Sequence, residues 1–331
     1  MELTTLWFGL IAFLWAGYFL LEGFDFGVGM LLRWIGRDPV DRKVVLAAIG
    51  PVWDGNEVWM IVAAGATFAA FPAWYAAMFS GFYLPFLLLL VALILRAVAL
   101  EWRSKVDGDR WRAWCDRAIF WGSACPAVIW GVAFANLVRG LPLDARGTVH
   151  AAPLDLLGPY ALLGGVTTLA VFVLHGAVFL TLKTDGPVRE RARRAAFASA
   201  ALAVPALTAF LAWTQHQHGK PGTAVTAAVA VLALAAGAGA AVRGREGVAF
   251  GATGVAIVLT VATLFGALWP DVLPSTTDPA ASLTVTGAAS GPYTLTVVTW
   301  MAAIATPIVM LYQGWTYWVF RRRLTRADVT P

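Results

Sequence analysis

The chain is short of charge. Only 13% of its 331 residues are Asp, Glu, Lys or Arg, against 60% hydrophobic, and the mean hydropathy is +0.72. That composition excludes a soluble two-domain protein. Cysteine is nearly absent: Cys115 and Cys125 stand ten apart with no CxxC spacing, so they read as buried thiols in a helix, indicating neither a disulfide nor a metal site. There are four histidines, and His150, His216 and His218 lie between apolar runs, leaving only His175 inside one. No CxxCH, phosphate-binding glycine loop or HExxH occurs, so nucleotide or metal hydrolysis has no support. Met1-Glu2 gives no basic start and the first apolar run is too long for an h-region; no cleavable signal peptide is expected.

What the chain does have is apolar runs of about 20 residues, each matching the thickness of a hydrocarbon core. The expectation is an all-α integral membrane protein, one polytopic membrane domain over residues 1–331. Nine helices are placed at about 4–32, 39–71, 74–101, 117–138, 155–182, 195–214, 223–242, 247–269 and 293–320. The second is started at Pro39 because Asp38-Pro39 offers an N-cap followed by proline at the first helical position. Pro51 then becomes an interior proline that bends the helix. Twenty basic residues fall in one set of alternate loops and only Arg139, Arg146 and Lys220 in the other, with Arg96 inside a span. By the positive-inside rule the N-terminus is outside and the C-terminus cytoplasmic. An eight-helix version would break that alternation. The net charge of +5 is spread by loop and is no nucleic-acid signal.

Ionisable groups inside the spans are few and concentrated. Glu22 and Asp25 share one helical face, beside Gly23, Gly27 and Gly29, which permit close helix approach. Gly50-Pro51-Val52-Trp53-Asp54-Gly55-Asn56-Glu57-Val58-Trp59 adds two carboxylates and an amide, and Arg96 stands in an apolar context near Glu101. Acidic residues in a first helical turn suit the backbone dipole, which would explain Asp54 and Glu57 blandly. A helix starting at Pro39 puts Asp54 about four turns in, beyond that effect. Each charge alone also fits snorkelling or a helix end. Together, at one depth toward the cytoplasm, they indicate a shared polar pocket with Arg96 as counter-ion. His175 could ligate a haem axially, although a lone histidine on an apolar face is more often a satisfied core residue. These residues leave two functions open: a proton-conducting subunit of a larger machine, or a proton-coupled transporter or scaffold. A transporter should show polar or broken helices in both halves of its repeat, and here the polar groups crowd the first three spans.

Leu21 to Gly29 and Pro51 to Trp59 resemble subunit II of cytochrome bd-type quinol oxidases. The likeness continues through Phe79-Ser80-Gly81-Phe82-Tyr83, Glu101 to Lys105, Gly131 to Leu137, Pro274 to Thr277, Leu295 to Trp300 and Tyr312 to Trp318, and is weak over residues 185–250. The resemblance implies nine helices as two four-helix bundles plus one peripheral helix, in a bacterial cytoplasmic membrane. It implies a heterodimer with a haem-bearing subunit I that carries haems b and d, oxidises membrane quinol and reduces dioxygen to water. This chain would hold no haem of its own, and a structural quinone and small accessory subunits are allowed. It also implies proton uptake through Asp54, with Glu22, Asp25 and Arg96 at the matching acidic and basic positions and Glu57 one turn on. Glu22 and Val52 stand where some members carry an aspartate or a histidine, so Val52 removes one proton donor beside Trp53. Expression of the chain alone separates the readings: a transporter supports uptake by itself, an oxidase subunit shows neither activity nor haem, and a His175 haem protein shows a Soret band.

Overall fold

The computed structural model describes residues 2–329, and it is helical nearly throughout. Helix α1 (Leu3–Ile35) is the central post, buried along much of its length from Trp7 to Ile35. Around it stand α6 (Asp109–Arg139), α7 (Pro159–Lys183) and α10 (Glu246–Leu268). Helices α8 (Gly186–His218) and α9 (Pro221–Val242) complete the far side, while α11 (Pro292–Val319) lies on the outside with only Leu295 buried. A two-stranded antiparallel ribbon, β1 (Asp271–Leu273) with β2 (Leu283–Thr284), covers the end opposite the basic loops.

Two expected helices are broken. The segment expected at 39–71 is α2 (Pro39–Ile49) followed by α3 (Trp53–Ala70). The start is as expected, with Asp38 accepting from the Asp41 amide at 2.9 Å. The stop is Pro51, which has no N–H for the carbonyl of Ala47 and whose ring crowds that carbonyl; the helix ends rather than bends. The segment expected at 74–101 is α4 (Pro72–Gly81) and α5 (Tyr83–Trp102), interrupted at Phe82, where Pro85 is accommodated in the first turn of a new helix. Helix α8 begins well before residue 195, so the arginine-rich segment after Asp185 is helical and extends the span instead of looping. The runs near 223–242, 247–269 and 293–320 are helices with nearly those limits. Among the described residues, eight helices, α1 and α5 to α11, are long and apolar enough to cross a membrane.

The α1–α7 crossing depends on two glycines. A Cβ on Gly27 would strike the Phe172 carbonyl and the Gly176 backbone, and a Cβ on Gly176 would strike Gly27 in return. Small residues at such a crossing let backbones meet, the usual device where lipid supplies no hydrophobic drive. About three turns back along α1 is an aromatic cluster: Trp15 lies 4.8 Å from Trp130 and 5.2 Å from Phe134, edge-on in both cases. The Trp130 indole N–H donates to the Tyr18 hydroxyl at 3.1 Å, so neither polar tip is stranded in the core.

At the basic end, three buried acids each hold two arginines from different segments. Asp116 on α6 accepts from Arg42 at 3.0 Å and from Arg103 at 2.6 Å. Asp41 on α2 pairs with Arg191 on α8 and with Arg326 at 3.5 Å. Glu246 on α10 pairs with Arg189 at 2.6 Å and with Arg323 at 2.5 Å. Segments that the charge distribution assigns to one membrane face are therefore joined in space. At the other end, the Asp144 carboxylate accepts from His150 and from the Thr148 and Arg146 amides, which together hold its pKa down at about 2.

Gly27→Val and Gly176→Val should each disrupt the α1–α7 crossing. Overpacking costs about 1–3 kcal/mol where side chains can shift, and here the opposing atoms are backbone. Thermal unfolding of the detergent-solubilised protein should show a clear loss of stability in either variant, whereas Gly65→Ala, where a Cβ meets open space, should leave it unchanged.

Candidate functional site: a buried ion-pair and amide network

Four helices supply the site. Helix α1 contributes Glu22 and Asp25, three residues apart on one face; α5 contributes Arg96; α3 contributes Asn56 and Glu57; and α11 contributes Gln313 and Tyr317. Glu22, Asp25, Asn56 and Arg96 are each fully buried, at 0% exposure. Such groups persist in an apolar interior only when paired.

Arg96 is the centre. One guanidinium nitrogen, Nη1, ion-pairs with Glu22 and lies 4.0 Å from the Glu57 carboxylate. The guanidinium carbon sits 4.9 Å over the Phe26 ring, an attraction to the negative ring face. Gly122 on α6 allows this arrangement, since a Cβ there would collide with the Arg96 side chain and the Ala92 carbonyl. Asp25 belongs to a second branch. Its Oδ2 accepts from the Asn56 side-chain amide at 2.6 Å, and Asn56 Oδ1 in turn accepts from Gln313 Nε2 and the Tyr317 hydroxyl, both at 2.9 Å. Two donors on Oδ1 orient the amide so that its N–H₂ faces Asp25. Glu22 Oε2, Asp25 Oδ1 and Arg96 Nε and Nη2 are buried without a protein partner. Buried polar atoms of that kind are ordinarily satisfied by internal water.

Asp54 is elsewhere. It is exposed, in the first turn of α3. The expectation that it lies about four turns inside a helix fails because Pro51 ends α2 and α3 starts afresh at Trp53; the helix-start reading describes its position correctly. Glu57, one turn on, is half-buried with 17% of its side chain exposed, and so stands between Asp54 and Arg96. Glu101 takes no part, pairing with Lys105 at the surface. Asn56, Gln313 and Tyr317 were given no role from sequence. An amide between two acids in an apolar segment, and two polar residues four apart on an apolar helix, were the available signals.

His175 is a satisfied core residue. Its Nδ1 lies 2.7 Å from the Thr253 hydroxyl, its Nε2 lies 3.2 Å from the Leu20 carbonyl, and its ring stacks on Phe250 at 4.7 Å. An axial haem ligand needs a free ring nitrogen, and both are engaged. Among the described residues, no group of three or more His, Cys, Asp or Glu is placed to hold a metal ion.

Residues 3–320 match the profile of the family described as cytochrome bd terminal oxidase subunit II. The chain belongs to that family. It is thus a subunit of an oxidoreductase complex, and its apolar helices make it a multi-pass membrane protein of bacterial type. It is 42% identical to cytochrome bd ubiquinol oxidase subunit 2 of Bacillus subtilis over 332 residues, covering 99% of this chain and 98% of that one. It is 34% identical to cytochrome bd-I ubiquinol oxidase subunit 2 of Escherichia coli strain K12 over 367 residues, covering 99% and 96%. The fold is similar to a chain in the structure of bd oxidase from Geobacillus thermodenitrificans, with a TM-score of 0.76, 17% identity and coverage of 96% and 97%.

Removing one partner of a buried pair leaves the other charge uncompensated, which typically costs about 3–5 kcal/mol. Arg96→Met should therefore sharply reduce accumulation and thermal stability of the protein in the membrane. Glu22→Gln/Arg96→Met, which removes both charges, should recover part of that loss. Equal instability of the single and double variants would show that the pair is not energetically coupled.

Proposed function

We propose that this chain is the haem-free subunit II of a quinol oxidase and that it carries protons from the cytoplasm toward the site of oxygen reduction. The observation that carries the reading is the buried network of Arg96, Glu22 and Asp25, whose unpartnered oxygens and nitrogens make room for water in a hydrogen-bonded chain. Asp54, exposed at the start of α3, is the uptake point; Glu57 relays toward Arg96 and Glu22, and Asp25 is the second buried acceptor. Family membership favours this over a proton-coupled transporter built on the same carboxylates.

In the assembled enzyme, haems b and d in subunit I carry the electrons from membrane quinol to dioxygen. This chain's residues hold and pass the protons that become part of the water. Helix α3, 18 residues long, is the ninth span, made less apolar than the rest by Asp54, Asn56 and Glu57. With it included, every basic segment lies on the cytoplasmic face of the bacterial plasma membrane and the N-terminus outside. The nine spans form two four-helix bundles with one peripheral helix. A structural quinone and small accessory subunits are compatible with the exposed apolar faces.

Asp54→Asn should slow oxygen consumption and proton uptake of the purified complex by about 100-fold or more, since a positioned proton-transfer group contributes roughly 10²–10⁴-fold, while the haem spectrum survives. Unchanged turnover in that variant would remove Asp54 from the mechanism. Asp25→Asn tested alongside reports on the buried branch independently.

A further inference from the structure

A groove of about 320 Å³ opens at the basic end, between the α2–α3 break, the end of α7 and the end of α11. Its walls are apolar, with Pro51, Leu182 and Phe320 among them, and Lys183, Arg321 and Arg323 line it as well. Two of these cations are held in place by backbone and ring contacts and the third by a carboxylate. Lys183 Nζ donates to the Phe320 carbonyl and, at 3.0 Å, to the Arg322 carbonyl. Arg321 donates to the Trp318 carbonyl at 2.5 Å and lies 4.3 Å over the Trp318 ring. Arg323 is shared with Glu246, which also holds Arg189, itself 3.5 Å from Asp185. Among the described residues, no carboxylate forms an ion pair with Lys183 or Arg321.

We propose that this groove binds an anionic phospholipid, one acyl chain between the apolar walls and the phosphodiester on Lys183 and Arg321. Charge complementarity selects the occupant. A positive mouth on an apolar cleft at a helix-bundle end fits a lipid with net negative charge, whereas phosphatidylcholine brings a cation of its own. A soluble anion would gain nothing from the apolar walls. The position has a consequence for the buried network, because Tyr317 lines the same groove and donates to Asn56. The occupant therefore packs against a residue one hydrogen bond removed from the amide that faces Asp25. The site stands on groove shape and charge and does not depend on the proton-uptake reading.

The test uses the whole oxidase complex, stripped of lipid in neutral detergent and titrated separately with phosphatidylglycerol, phosphatidylcholine and inorganic phosphate, with bound lipid counted by native mass spectrometry. The unmodified complex should retain one more phosphatidylglycerol than Lys183→Gln/Arg321→Gln, whose affinity at this site should fall roughly ten- to thirtyfold for two lost cations near the membrane surface. Leu182→Trp, which fills the groove without changing charge, should lose the same lipid. Haem absorbance confirms that each variant assembles. Equal phosphatidylglycerol retention in the unmodified complex and both variants overturns the proposal. So does retention of phosphatidylcholine to the same extent, or displacement by inorganic phosphate at equal concentration, which would mark a simple anion site.

Discussion

Arg96 is the residue that the interior of this protein is built to tolerate. A guanidinium with no exposure, deep in an apolar bundle, is admissible only because Glu22, Glu57 and the Phe26 ring surround it. Meeting that requirement brings α1, α3 and α5 to one point, and Gly122 brings α6 against the same side chain. Asp25, one turn along α1 from Glu22, is thereby placed where Asn56 can reach it. The site and the packing of the first helices are one arrangement, because the same pairings that make the charges affordable also align them.

The basic end follows a similar logic with different partners. Asp41, Asp116 and Glu246 are buried acids at the basic end, and each takes two arginines from separate segments. Isolated exposed ion pairs add little, but here each acid is desolvated and would be strongly unfavourable unpaired. The result is a rim that ties α2, α6, α8 and α10 to the C-terminal segment, while α11 itself stays loosely packed. Polar tethers hold that outer helix: Thr299, which accepts from the Trp7 indole at 2.9 Å, and Gln313 and Tyr317 on Asn56.

Much was legible from residues alone. Long apolar runs, Asp38-Pro39 as a helix start, and the collection of Glu22, Asp25, Glu57 and Arg96 at one depth follow from period, capping and the high energy of unpaired charge in lipid. The interruptions at Pro51 and Phe82 were not, since a proline in a membrane helix either kinks it or ends it, and the neighbours that can accept the freed carbonyls decide which. That one difference moved Asp54 from mid-helix to a first turn. His175 was readable only as a choice between ligand and core, and the partners that resolved it, Thr253 and Leu20, lie on distant segments.

By itself, then, the sequence determined the class of the protein, the uneven distribution of basic residues and the set of charges that must find one another, because each follows from the transfer energy of single residue types. Tertiary structure alone decided which charges meet. It put Arg96 on Glu22 and Asn56 on Asp25, and it left Asp54 at the surface. It also brought Gln313 and Tyr317 from α11 to orient the Asn56 amide on α3. Pairings across 74, 31 and 257 residues depend on how whole helices cross, and that is set by many small packing terms at Gly27, Gly122 and Gly176 together, none of which is visible in any one stretch of the chain.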